Sequence, residues 1–149
     1  MIELLIIFAI ICVLAILAIP MLLNARIAAN DASAVESMRA INAAQFAYAN
    51  TYPDAGFSPT LSNLGPGSGP VSEANAALLD NLLGCPAGTG CVKSGYQFYV
   101  NGGGSSFVSY TVPATAGRTG IRSFYSDQTG VIRYNNDGAT PTVSDTPLQ

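Results

Sequence analysis

The chain has 149 residues, enough for one domain with a modest core. Hydrophobic residues make up 49% and charged residues only 10%, against roughly 25% charged in an ordinary soluble domain. Histidine is absent, which removes the usual general base, the commonest metal ligand and every Ser-His or Cys-His nucleophile pair, and at a net charge of −3 the six scattered basic residues make no nucleic-acid site evident.

The missing charge is concentrated at the N-terminus. Of the first 23 residues 21 are apolar, the exceptions being Glu3 and Pro20. Between Glu3 and Arg26 lie 22 uncharged residues, which as an α-helix would run about 33 Å, the thickness of a bilayer's hydrocarbon. One membrane crossing is expected. The start Met1-Ile2-Glu3 is acidic, unlike the basic n-region of a cleavable signal peptide. Pro20 deletes one helix hydrogen bond and crowds the preceding turn, which predicts a bend or local unwinding over residues 16–20, either as a tolerated kink or with a functional role. A carboxylate such as that of Glu3 at the apolar end of a membrane helix costs a few kcal/mol unless it reaches the interface or a cation, and the α-amino group of its own or another copy is within reach. Cys12 is expected to act as a small apolar side chain.

Helical character continues past the apolar run. Residues 24–50 are alanine-rich and place Val35, Met38, Ile41, Gln45, Tyr48 and Tyr52 at spacings of three and four, an amphipathic stripe. Residues 54–71 are loop-like, with three prolines and four glycines. Residues 72–83 read as a short helix capped by Ser72, with Ala76, Leu79 and Leu83 on one face. Cys85 and Cys91 flank Pro-Ala-Gly-Thr-Gly and are expected to form an extracytoplasmic disulfide worth roughly 2 kcal/mol by chain entropy. A metal site from two cysteines without histidine is not expected. Alternating runs at Tyr96, Ser106, Ile121 and Gly130 predict four antiparallel strands, the last two joined by a tight turn at Asp127-Gln128-Thr129-Gly130. The stripe from Val35 to Tyr52 is then the cover for one face of that sheet.

The run Ile2-Glu3-Leu4-Leu5, the aliphatic stretch ending Ala18-Ile19-Pro20 and the small-residue segment that follows, together about the first 53 residues, resemble the type IV pilin family and its relatives, the pseudopilins of type II secretion. The resemblance implies a prepilin cleaved by a dedicated peptidase, methylated at its new N-terminus (Met1 in this numbering), held in the inner membrane and then polymerised with itself by the pilus assembly machinery. It gives Glu3 and Pro20 roles in filament assembly, Glu3 neutralising the N-terminal amine of a neighbour. Three departures stand out. The family's glutamate is the fifth mature residue, so two further residues are expected ahead of Met1. Cys12 occupies a position where the family often has glycine, and the disulfide that closes a C-terminal loop in many pilins is missing. Asp127, Asp137 and Asp145 invite comparison with the calcium loop of major pseudopilins, but their spacing reads as solvated turns.

The expected fold class is α+β. A filament-core helix half over residues 1–23 leads into an amphipathic half over 24–53, followed by a globular antiparallel β-sheet head over 54–149. The expected role is that of a non-catalytic structural subunit of a cell-surface pilus, without cofactor or metal. A type II secretion pseudopilin and a non-polymerising membrane-anchored binding module are the alternatives.

Overall fold

The computed structural model describes residues 2–86 and 90–148. It is an α+β arrangement, a 50-residue helix followed by a six-stranded antiparallel sheet. Helix α1 (Ile2–Thr51) contains no glycine, and its only interruption in sequence is Pro20. The unwinding expected there is not found: α1 is helical on both sides of Pro20 and through it. The flanking turns keep their hydrogen bonds, so the one donor that proline lacks is not enough to open the helix.

Strands β1 (Cys91–Lys93), β2 (Tyr96–Gly103), β3 (Ser106–Pro113), β4 (Ser123–Asp127), β5 (Arg133–Asn135) and β6 (Thr146–Pro147) follow in sheet order. The four expected strands are β2 to β5, and β1 and β6 extend the sheet at its two edges. Alternation sets the two faces. Phe98, Thr111, Phe124 and Tyr134 are opposite one another across successive strands and point inward. The neighbouring row of Tyr99, Tyr110, Tyr125 and Arg133 lies on the other face, where the Tyr99 and Tyr110 rings stack with centroids 4.9 Å apart. In the turn after β4 the Asp127 carboxylate accepts from the Thr129 amide at 2.9 Å and the Gly130 amide donates to the Asp127 carbonyl at 2.9 Å. The expected turn is formed, but β5 starts at Arg133 and not at Gly130, so residues 126–132 separate the last paired residues Tyr125 and Arg133.

The second half of α1 packs on β3 and β4. Met38, Ile41 and Tyr48 are fully buried, Val35 is nearly so and Tyr52 is half-buried, as the stripe predicts. Gln45 on the same stripe is also fully buried, and its amide pairs with the Ser58 backbone: Nε2 donates to the carbonyl at 3.1 Å and Oε1 accepts from the amide at 2.8 Å. A side chain thus replaces a strand partner for one residue and ties the first loop to the helix. Tyr48 does the same at its tip, its hydroxyl donating to the Glu73 carbonyl at 2.8 Å.

The helix expected over residues 72–83 is not formed. The only other helix among the described residues is the single turn α2 (Leu61–Leu64), capped by Thr60. The amides of Ala76, Ala77, Leu78 and Leu79 donate to the carbonyls of Asn63, Gly65 and Leu64. Those donors are committed to another segment, so no i to i−4 ladder can start. The two segments are locked by contact at Gly65 and Gly84, where a Cβ on Gly65 would lie 2.3 Å from the Gly84 carbonyl oxygen.

Candidate functional site

Two features of α1 set what the molecule can do: the half that nothing in the chain covers, and the turn where the helix leaves the head.

From Ile2 to Leu23 every side chain described is exposed, including Leu4 at 73%, Phe8 at 66% and Leu22 at 70%. The helix is long and apolar enough to cross a membrane. Soluble monomers rarely expose contiguous apolar patches of more than a few hundred Å², so this surface requires lipid or protein around it. Glu3 is the only charge in the segment. It lies in the first turn, where the amides at a helix N-terminus favour a carboxylate. Pro20 is on the same exposed stretch, 17 residues or roughly 25 Å further along the axis, so the two do not form one local site. Cys12 is a free thiol, exposed like its apolar neighbours. Met1, the expected methylation site, lies outside the described residues.

Asp31 is the first buried residue of α1, at 4% exposure. Both of its carboxylate oxygens are engaged: Oδ1 with the Tyr96 hydroxyl at 2.5 Å and Oδ2 with Arg122 Nε at 3.1 Å. The single proton of the Tyr96 hydroxyl is shared with the Arg122 carbonyl, 2.7 Å away, and the Arg122 guanidinium lies 5.7 Å over the Phe124 ring. Burial pushes the Tyr96 phenol far above its usual value of 10.0, and the hydrogen bond and negative charge of Asp31 push it further. Beside this cluster Asn30 Nδ2 donates to the Thr119 carbonyl at 2.8 Å, and the Ser33 and Ser94 hydroxyls are bonded at 2.9 Å. The chain approaches closely here because of glycine: a Cβ on Gly120 would lie 2.2 Å from the Tyr96 hydroxyl oxygen, and Gly95, at φ +74°, makes the turn that presents Ser94. This collar was not foreseen from the sequence. The available signal is that Asp31 falls on the stripe four residues before Val35, a place for apolar side chains.

Cys85 and Cys91 are brought together as expected, in a disulfide with Cα atoms 5.5 Å apart. Asp127, Asp137 and Asp145 serve their own turns: Asp137 accepts from the Ala139 amide at 2.9 Å and Asp145 from the Thr142 amide at 2.6 Å, as Asp127 does from that of Thr129.

Comparison of the chain with protein-family models, with curated proteins and with solved structures finds no match. A long apolar N-terminal helix, an antiparallel sheet and a disulfide in one chain are compatible with a pilin-like fold.

Proposed function

We propose that this protein is a type IV pilin, a structural subunit that is held in the inner membrane by its apolar half-helix and then polymerises through it into a cell-surface filament. One observation carries the reading: a single unbroken helix is buried against a head along its second half and bare along its first, with one acid in the bare half. Lipid and a protein core are both apolar, so moving the bare half from one to the other changes little buried area. What differs is the partner available to Glu3. In a dry core an unpaired carboxylate is strongly disfavoured relative to a paired one, so pairing with the N-terminal amine of a neighbour sets the register between subunits. Prepilin peptidase and the assembly machinery are the partners this role requires.

Glu3→Gln keeps the shape and removes the charge. The expected result is normal accumulation of the chain in the membrane with surface filament yield reduced by more than about tenfold, since the pairing is worth a few kcal/mol and each 1.4 kcal/mol is tenfold. Electron microscopy of material sheared from cells reads it, and full piliation by the variant overturns the role of Glu3. Absence of long filaments in the unmodified strain would transfer the reading to a secretion pseudopilin if the chain crosslinks to itself in the envelope, and to a membrane-anchored binding module if it remains monomeric.

A further inference from the structure

Residues 30–33 hold the head by polar contacts, through Asn30, Asp31 and Ser33, whereas Ala34, Val35, Met38 and Ile41 after them are part of the apolar core. The two kinds of attachment respond differently to opening. Breaking the core exposes apolar surface to water, while opening the collar chiefly exchanges hydrogen-bond partners, those of the buried Asp31 and Tyr96 among them, for water. Water is near, because Arg122 is 37% exposed and Asn30 and Ser33 are only half-buried. The pieces that receive the helix are tied to each other: the Ala114 amide donates to the Gly95 carbonyl at 2.9 Å, joining the turn before β2 to the loop that carries Thr119 and Arg122. They can part from the helix together. The collar holds the helix at the end of the head nearest the bare half, so it bears on the angle between them.

We propose that this collar is a latch that opens as a unit, releasing the part of α1 ahead of Ala34 while the core from Ala34 onward stays closed, and that it governs the angle at which the bare half leaves the head. Such sub-global opening is common where local attachments are polar and partly wet. Hydrogen–deuterium exchange on the full chain in detergent micelles tests it. Asp31→Asn and Tyr96→Phe, which keep the shape of the side chains, should each raise exchange over residues 27–36 by about tenfold and leave residues 40–48 and strands β2 and β3 within about twofold. Ser33→Cys with Ser94→Cys, in a Cys12→Ala background, places a disulfide where the two hydroxyls now touch. When oxidised it should slow exchange over residues 27–36 by about tenfold relative to the Ser33→Cys single variant, which keeps only the Cys85–Cys91 disulfide. A rise spread equally over helix and strands, no rise in either latch variant, or equal rates with and without the added bond would each overturn the latch. Exchange is measured on the unassembled chain, so the outcome is independent of whether the protein forms filaments.

Discussion

The two halves of α1 share one backbone geometry and no break, yet their surroundings are opposite. Residues of the second half are buried in a stripe that matches the inner face of the sheet, and those of the first half are exposed at every described position around the axis. Helix formation and helix burial are therefore separate problems in this molecule. The first half is helical because it is rich in alanine and leucine, which favour helix, and contains no glycine. The second half is helical and in addition has a fixed partner, with side chains chosen position by position.

That difference can be tested by matched truncations. Met38→Ala empties a fully buried position and should cost about 3 kcal/mol, lowering Tm of the full chain in detergent by roughly 10 °C. Ile10→Ala, on the bare half, should leave the same Tm within about 1 °C; equal losses in the two variants would erase the distinction. The next largest effect is expected from Gln45→Leu, which keeps the volume but strands the Ser58 amide and carbonyl, at about 2–3 kcal/mol by denaturant unfolding. Replacing Cys85 and Cys91 together by serine opens a loop with a sequence separation of 6 and should cost about 2 kcal/mol.

A pH series sharpens the comparison, because the bare half contains no tyrosine. Burial raises the phenols of Tyr48, Tyr96 and Tyr125 above 10.0 in the folded head. A raised folded-state pKa means stability that is complete below pH 10 and lost as the pH climbs beyond it, since the unfolded chain ionises first. The head should therefore melt at progressively lower temperature above pH 10, and Tyr96→Phe should remove the largest part of that slope. An unchanged slope in Tyr96→Phe would place the alkaline sensitivity elsewhere.

Much of this was legible in the sequence, for reasons of range. The stripe from Val35 to Tyr52 and the alternation from Phe107 to Val112 are periodic signals, and periodicity is a local property of the chain. The loss of the helix over residues 72–83 was not legible, because Ser72 makes a plausible cap and the competing acceptors belong to Asn63, Leu64 and Gly65 in another segment. Asp31 was missed on the same ground: its partners Tyr96 and Arg122 are 65 and 91 residues away. The disulfide was readable because both cysteines sit in one short loop. Of the candidate site, the bare apolar run and Glu3 were plain from composition, whereas the collar depends on contacts between distant parts of the chain.

The place of Asp31 along the helix has a geometric consequence. It is 28 residues from Glu3, a rod of about 42 Å at 1.5 Å per residue. With the proposed latch as pivot at one end and the carboxylate near the other, a tilt of about 5° carries Glu3 sideways by about 4 Å, more than the length of a hydrogen bond. In the proposed filament the rod is a lever arm, and a small angular error at Asp31 is the difference between a made and a missed pairing of Glu3.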